Sequence, residues 1–260
     1  MAFVADNPRL PLVDKPAIAA AFSRAAGSYD SAACLQRETG NTLLALGNQH
    51  PGASVLDAGC GTGYFSRCWR ERDRFVTALD LAAGMLDHAR RQQAADSYLL
   101  ADIENIPLPD QTVDICFSNL ALQWCADLPQ ALAELYRVTR AGGIILFSTL
   151  AKGSLDELGQ AWQQVDGKRH VNDFLPFQHI SDACQGYRHH LTTELYQQQF
   201  PDVIALMRSL QGIGATHLHQ GRDVGLSGRQ RLVALQRAYS TQSGTYPLSY
   251  HLVYGVIYRD

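Results

Sequence analysis

Hydrophobic and polar residues alternate along the chain with a period that changes from segment to segment. Short apolar runs ending in polar residues predict strands, and apolar residues that recur every three or four positions predict helices. Between residues 54 and 150 the predicted strands are 54–58, 75–80, 97–102, 113–119 and 143–150, and the predicted helices are 64–72, 84–93 and 128–140. This alternation is typical of βαβ units, so we predict an α/β fold built on a parallel sheet.

Two less regular regions flank this segment. Before it, residues 16–46 carry apolar side chains at helical spacing, which predicts one helical arm. After it, the predicted elements are helices at 154–166, 176–185, 202–210 and 228–239 and strands at 188–199 and 250–258. Ligands bind beyond the carboxyl ends of strands in open α/β sheets, and irregular segments that follow such a sheet often cover that edge. We therefore divide the chain into an arm (1–50), an α/β core (51–150), a substrate-side cap (151–248) and a final core strand (249–260).

Composition narrows the class of protein. The chain has 260 residues, 46% of them hydrophobic and 18% charged, with a formal net charge of −3. These values are typical of a globular protein and give no general reason to expect nucleic acid or a membrane as partner. The six cysteines include no C-x-x-C pair, which favours reduced thiols in a cytoplasmic protein over disulfides or a zinc site.

The strongest local signal is a glycine-rich turn, VLDAGCGTG at residues 55–63, which follows a predicted strand and opens a predicted helix. Glycines let such a turn bring its backbone close to a ligand, and the following helix offers free N–H groups. A P-loop would need Gly-Lys-Ser/Thr, and Tyr64 stands where the dinucleotide-binding pattern has its last glycine. The carboxylate of Asp57 would repel a pyrophosphate but can accept hydrogen bonds from an ammonium group.

Polar residues also end three further predicted strands. Asp80, Asp102 and Asn119 follow apolar runs, and Asp80 lies about 20 residues past the glycines, where a carboxylate commonly binds a ribose diol. Each residue alone could instead cap a helix or stabilise a turn. Because parallel strands end at one edge of a sheet, we expect the side chains to form one site.

These stretches together resemble one family. VLDAGCGTG, ALD, ADIENIPLPDQTVD and SNLALQW are similar to segments of the class I S-adenosylmethionine-dependent methyltransferases. The resemblance implies a Rossmann-like sheet of seven strands, mostly parallel with the last antiparallel, with helices on both faces and a helical cap over the carboxyl-end edge. It also implies S-adenosylmethionine as cofactor, S-adenosylhomocysteine as product, and no metal.

The resemblance assigns roles to individual residues. Asp57 and the glycine turn would hold the methionine part, Asp80 the ribose, and Asp102 with Ile103 the adenine. The implied cofactor-binding residues are Tyr29, Gln36, Asp57, Gly59, Cys60, Gly61, Thr62, Gly63, Asp80, Leu81, Met85, Asp102, Ile103 and Asn119. The residues implied to position the reacting groups are Tyr29, Asn119, Gln123 and Trp124. For Tyr29 and Trp124, a place in the core is an equal alternative.

Segments outside the cofactor motifs resemble a narrower group of enzymes. AIAAAFSRAAGSYDSAACLQRE, MRSLQGIGATHLHQGR and YPLSYHLVYGVI are similar to segments of the biotin-pathway enzymes that methylate the free carboxylate of malonyl-acyl carrier protein. The resemblance therefore implies malonyl-acyl carrier protein, or malonyl-CoA, as substrate. The alternatives are a methyltransferase for another small acid or a quinone, a NAD-dependent dehydrogenase, and a protein that only senses the cofactor.

A carboxylate substrate is already ionised at neutral pH, so we expect no catalytic acid or base. We expect instead a cationic or hydrogen-bonding clamp and name Arg208, His217 and Arg222 as candidates. His217 and His219 have metal-like spacing but no evident third ligand, so a metal is not expected. Arginines between residues 222 and 237 predict a basic patch that could dock an acidic carrier protein.

Overall fold

The computed structural model describes residues 13–214 and 228–260, apart from the side chain of Arg229. The helices are α1 (Lys15–Ala25), α2 (Tyr29–Ala32), α3 (Cys34–Gly47), α4 (Tyr64–Arg70), α5 (Ala83–Arg91), α6 (Leu128–Val138), α7 (Asp156–Asp166), α8 (Phe177–Cys184), α9 (Val203–Gly212) and α10 (Gly228–Ala238). The strands are β1 (Ser54–Ala58), β2 (Phe75–Asp80), β3 (Ser97–Leu100), β4 (Val113–Asn119), β5 (Thr139–Ala151), β6 (Arg188–Phe200) and β7 (Tyr246–Tyr258). In this part of the chain, every helix is too short or too polar to cross a bilayer.

The strands form one mixed sheet in the order β3-β2-β1-β4-β5-β7-β6. Strands β1 to β5 are mutually parallel, and β7 lies antiparallel between β5 and β6. The seven-stranded sheet with an antiparallel β7 confirms the fold class predicted from the sequence. The order reverses at β1 and β4, so the strand ends next to this switch point form the crevice where such sheets bind ligands.

Both faces of the central strands β1, β2 and β4 are buried, which explains why these strands are almost continuously apolar. On one face, Ile115 and Phe117 of β4 pack with Trp69 of α4 and with helix α3. On the other face, Cys116 of β4 packs with Leu132 of α6. Successive side chains of one strand therefore belong to different hydrophobic cores, as the two-residue period of a strand requires.

The predicted single arm helix over 16–46 is wrong, because the chain breaks it into three. Helix α1 ends at Ala25, α2 is a single turn, and α3 starts at Cys34. At the first break, the Ser28 hydroxyl donates to the carbonyl of Ala25 at 3.2 Å. A hydrogen bond of this kind competes with the backbone hydrogen bonds of the helix. The breaks let the arm fold back over the carboxyl ends of the strands.

The predicted boundary between the helix over 128–140 and the strand over 143–150 also differs from the structure. Helix α6 ends at Val138 and β5 begins at the next residue. The glycines lie inside β5, where the pairing with β4 shifts register between Val113 and Ile115. Gly142 has a φ of +79°, so it serves an irregular strand and not a helix cap.

Gly255 of β7 provides a test of the core on the second face. It pairs with Phe147 of β5, and a Cβ at Gly255 would overlap the Phe147 ring. We expect Gly255→Ala to lower the free energy of unfolding by about 1–3 kcal/mol because the ring must move within a packed core. Thermal and urea unfolding measure this loss.

The matched control is Gly186→Ala, since nothing lies within 4 Å of a Cβ built at Gly186. Its effect should stay within about 0.5 kcal/mol. Equal stability of the two variants would contradict the packing described for Gly255.

Candidate active site

The glycine turn is held in place by β2. The backbone N–H groups of Gly59 and Cys60 donate to the carbonyl of Leu79, at 2.8 and 2.9 Å. The N–H of Gly61 donates to Oδ2 of Asp80 at 2.8 Å, and the N–H of Ala82 donates to Oδ1 of the same carboxylate at 2.8 Å. Asp80 therefore fixes the position of the turn after β1 relative to the turn after β2.

The turn needs its glycines because of backbone conformation. Gly59, Gly61 and Gly63 have φ values of +81°, +56° and +83°, in the left-handed region that disfavours side chains. A Cβ at Gly59 would also collide with Ala121. The loop after β4 therefore packs directly on the turn.

Asp57 lies beneath this turn and is 2% exposed. Its Oδ2 accepts a hydrogen bond from the Ser66 hydroxyl at 2.5 Å. Burial, together with the nearby Asp80 carboxylate, raises the pKa of Asp57 to about 7 despite the Ser66 hydrogen bond. A cationic group beside Asp57 would favour its ionised form.

A cavity of about 410 Å³ opens above the turn. It brings together eight residues predicted for cofactor binding: Tyr29, Gln36, Asp57, Gly59, Cys60, Gly61, Thr62 and Asn119. Asp30, Ala33, Arg37, Tyr64, Phe65 and Phe117 complete its lining. Acidic, amide and backbone groups thus converge at the switch point of the sheet.

The other predicted cofactor residues lie at the same edge, outside this cavity's lining. Leu81 directly follows Asp80, and Gly63 caps α4. Met85 is buried beneath the arm, packed with Phe22 and Tyr29. Further along the edge, Ile103 is buried in the core of the second face, next to Asp102.

The arm covers the cavity through contacts along its length. Thr62 donates its hydroxyl to the Asp30 carboxylate at 2.7 Å, and the N–H of Gly84 donates to the Ser23 hydroxyl at 3.1 Å. Lys15, at the start of α1, forms ion pairs with the carboxylates of Asp102 and Glu104. The arm therefore contacts the site both at the glycine turn and beside Asp102.

Tyr29 reaches into the site from α2. Burial, followed by the Asp80 and Asp30 carboxylates, raises the pKa of its hydroxyl far above the usual value for tyrosine. The hydroxyl therefore stays protonated over the whole physiological range and can act as a hydrogen-bond donor.

Asn119 connects the arm to the sheet. Its Oδ1 accepts hydrogen bonds from the hydroxyls of Thr39 and Ser148, both at 2.8 Å, and its Nδ2 donates to the carbonyl of Gln36 at 2.8 Å. These contacts occupy most of the hydrogen-bonding capacity of the Asn119 side chain. In this arrangement Asn119 fixes the first turn of α3 relative to β4 and β5.

A second cavity, of about 730 Å³, lies beside the first and is mainly apolar. Its lining comes from the arm, the loop after β4, α7, the segment after α7, α9, and the strands β5 and β7. Gln123 and Trp124 line it, with the Gln123 amide donating to the carbonyl of Leu120 at 2.7 Å. Trp124 contacts the Phe22 ring edge to face, with centroids 5.3 Å apart. The segments between β5 and β6, together with α9 and the arm, thus enclose this cavity.

Of the candidates for a carboxylate clamp, the structure describes Arg208. Arg208 is exposed on α9 and does not line either cavity. His217, His219 and Arg222 lie outside the described residues. Residues 13–214 and 228–260 show no cluster of three His, Cys, Asp or Glu side chains that could hold a metal.

The structure describes part of the expected arginine patch: Arg237 is exposed on α10, whereas Arg222 and the side chain of Arg229 lie outside the described residues. Arg231 pairs with Asp166 of α7 at 2.9 Å and stacks over Trp162, with its guanidinium carbon 5.2 Å from the ring centroid. The same Asp166 carboxylate contacts His170, which lines the second cavity. Arg231 therefore ties α10 to α7, and its charge is not free for a docking surface.

Arg37 is a residue that the sequence analysis missed. It lines the first cavity, and its Nη2 donates to the carbonyl of Asp30 at 2.6 Å. Its Nε is buried and has no hydrogen-bond partner among the described residues. In the sequence, Arg37 directly follows Gln36, which is predicted to bind the cofactor. Only the fold of the arm shows that both residues reach the site.

The fold and the site together define a class I S-adenosylmethionine-dependent methyltransferase. A family model described as a methyltransferase domain matches residues 56–147. The structure is similar to that of the YcgJ protein of Bacillus subtilis, with a TM-score of 0.60, 14% identity, and coverage of 86% of this chain and 99% of that one. It also resembles the [4+2]-cyclase SpnF, with a TM-score of 0.54, 16% identity, and coverage of 86% and 81%. At such identities the likeness shows the fold alone.

Curated relatives are far more similar. A protein of Yersinia pestis named malonyl-[acyl-carrier protein] O-methyltransferase is 79% identical over 95% of this chain and 93% of its own length. A protein of the same name from Serratia marcescens is 69% identical over 95% and 97%. The chain belongs to the malonyl-[acyl-carrier protein] O-methyltransferase family and is an S-adenosylmethionine-dependent O-methyltransferase. This membership decides against the dehydrogenase alternative.

The Lys15 ion pairs predict how firmly the arm is held. We expect Lys15→Ala to raise amide hydrogen exchange in α1 roughly 5- to 30-fold, the effect of about 1–2 kcal/mol for partly buried pairs. Release of S-adenosylhomocysteine should become faster as well, because the arm covers the cavity. Hydrogen-exchange mass spectrometry and stopped-flow release measure both effects.

Lys152→Ala is the control, since Lys152 is exposed and remote from the arm in sequence. Unchanged exchange in α1 of Lys15→Ala would show that the ion pairs do not hold the arm.

Proposed function

We propose that this enzyme transfers a methyl group from S-adenosylmethionine to the free carboxylate of a malonyl group carried as a thioester on acyl carrier protein. The observation that carries the proposal is the 79% identity, over 95% of the chain, to a relative with that name. The product, a malonyl methyl ester, would serve as the primer for pimeloyl synthesis in the biotin pathway.

The first cavity suits the amino-acid end of the cofactor. The left-handed glycines keep its floor free of side chains, and Asp57 offers a carboxylate for an ammonium group. Arg37, whose Nε lacks a partner among the described residues, offers a cation for the cofactor's carboxylate. We assign the ribose hydroxyls to Asp80 with Leu81, and the adenine to Met85, Asp102 and Ile103.

The bound cofactor supplies an electrophilic methyl group on a sulfonium. The protein's own residues then have to bring the substrate carboxylate into line with that methyl group and to exclude water. Positioning of this kind is worth about 7–11 kcal/mol in favourable intramolecular reactions. The apolar second cavity and the arm are suited to this task because they exclude water from both charged reactants.

The mainly apolar lining of the second cavity suits a malonyl thioester, and it would also accept other small acids. A methyltransferase for another small acid or a quinone therefore remains the second candidate. Carrier protein or CoA could deliver the malonyl group, with no nucleic acid or membrane as a partner.

A radiolabel assay tests the proposed function. We expect transfer of a labelled methyl group from S-adenosylmethionine to malonyl-acyl carrier protein, and no transfer to acetyl-acyl carrier protein, which has no free carboxylate. Free malonate and malonyl-CoA tested in parallel measure the preference for the carrier. Tight cofactor binding without transfer to any malonyl thioester would favour the sensor alternative.

The raised pKa of Asp57 predicts pH-dependent cofactor binding. The ionised carboxylate binds the ammonium group of S-adenosylhomocysteine, and below a pKa of about 7 a proton competes for it. The dissociation constant should therefore increase as the pH falls from 8 to 5.5, by up to about tenfold per pH unit below 7. Binding below pH 7 should also release protons, which calorimetry in two buffers detects.

Asp57→Asn separates this effect from the titration of Asp80, whose pKa burial also raises. The variant should bind more weakly at pH 8, with little dependence on pH. A flat profile for the unaltered enzyme would remove Asp57 from the ammonium site.

A further inference from the structure

The two cavities meet at a narrow boundary formed by the arm. Among the described residues, Tyr29 and Gln36 are the two that line both cavities. A methyl group that moves from a cofactor in the first cavity to an acceptor in the second must cross this boundary. The side chains of Tyr29 and Gln36 are therefore next to the reacting atoms if the proposed function is right.

Gln36 has a polar atom that the protein itself does not satisfy. Its Oε1 is buried and has no hydrogen-bond partner among the described residues. A buried amide oxygen without a hydrogen-bond partner destabilises a protein. Native structures therefore usually provide a partner for such an atom, from the protein or from a bound ligand. A half-turn of the amide presents its NH₂ group in the same direction, because the oxygen and the nitrogen exchange places on a side chain of unchanged shape.

The backbone holds this amide in a defined place. Gln36 lies in the first turn of α3, and its carbonyl accepts the hydrogen bond from Asn119 at 2.8 Å. Asn119 is in turn fixed by Thr39 and Ser148. The position of Gln36 thus depends on a network that reaches the ends of β4 and β5.

The charge change of the reaction favours a neutral group at this boundary. A carboxylate oxygen forms a bond to the methyl carbon while the carbon–sulfur bond breaks and its electron pair goes to sulfur. The negative and the positive charge disappear together, and no proton moves. A cation bound to the carboxylate would stabilise the reactants more than the transition state and would slow the transfer.

The second cavity agrees with this requirement. None of its described lining residues is an arginine, lysine, aspartate or glutamate. An amide orients a carboxylate by hydrogen bonding without cancelling its charge. In the first cavity, by contrast, Arg37 supplies the cation that a cofactor carboxylate needs.

We infer that Gln36 binds the carboxylate of the substrate, donating from Nε2 to one carboxylate oxygen so that the other faces the methyl group. This inference rests on the proposed function and replaces the sequence-based assignment of Gln36 to cofactor binding. It makes Gln36 a substrate-binding residue, with Asn119 as the residue that positions it.

Binding measurements on three variants test the inference. Gln36→Leu removes the amide at similar size, Gln36→Glu adds a like charge, and Gln36→Asn keeps an amide on a shorter side chain. The readouts are the dissociation constant of S-adenosylhomocysteine, the dissociation constant of malonyl-acyl carrier protein for the enzyme loaded with S-adenosylhomocysteine, and kcat/KM. Asn41→Leu, an amide removed from the exposed side of the same helix, is the matched control.

For Gln36→Leu we expect malonyl-acyl carrier protein to bind roughly 10- to 100-fold more weakly, the loss typical of a hydrogen bond to a charged group. kcat/KM should fall by a similar factor, S-adenosylhomocysteine affinity should change less than twofold, and the melting temperature should not fall. Binding of malonyl-acyl carrier protein should weaken more in Gln36→Glu and less in Gln36→Asn. In Asn41→Leu, both dissociation constants and kcat/KM should equal those of the unaltered enzyme.

Two results would overturn the inference and leave the proposed function intact. One is unchanged binding of malonyl-acyl carrier protein by Gln36→Leu, and the other is an equal loss of S-adenosylhomocysteine affinity, which would return Gln36 to the cofactor. If the unaltered enzyme methylates no malonyl thioester, the proposed function itself fails and the inference fails with it.

Discussion

The carboxylate of Asp80 is the contact on which the site depends. Through its two oxygens it accepts the N–H groups of Gly61 and Ala82, so the turns after β1 and β2 are held by one side chain. The left-handed backbone of the turn is not strained for glycine, but glycines lose much conformational freedom when they are ordered, so the contacts that hold the turn matter. With the turn fixed, the loop after β4 can pack on Gly59, and the arm can close through Thr62.

The arm converts an open crevice into an enclosed site. Without it, the carboxyl ends of the strands would expose Asp57 and the glycine turn to water. Contacts of Lys15, Ser23 and Asp30 close it over the cavity, and Ser28 also reaches the carbonyl of Gly212 in α9, at 3.2 Å. Since the cofactor has to enter and leave, these contacts must break in every turnover, which a few polar contacts of modest energy allow.

The core of the site could be predicted from the sequence because its chemistry is local. A glycine turn between a strand and a helix, with Asp57 before it and Asp80 at the next strand end, has few structural interpretations. The breaks in the arm could not be predicted in this way, since the apolar spacing continues across Ser28. Arg37 was missed for the same reason: its role depends on how the arm folds back, which is a tertiary property.

The substrate side was harder to predict, because the sequence leaves open whether a cation or a neutral hydrogen-bonding group binds the carboxylate. A cation suits a carboxylate that only has to be bound tightly, whereas the reaction requires it to lose its charge. Binding energy that stabilises reactants and transition state equally does not accelerate the transfer, and energy that favours the reactants slows it. The second cavity, which is mainly apolar and has the neutral Gln36 amide at its boundary, does not favour the charged reactants in this way. An enzyme that joins two opposite charges into neutral products gains more from removing water and fixing direction than from adding a counter-charge.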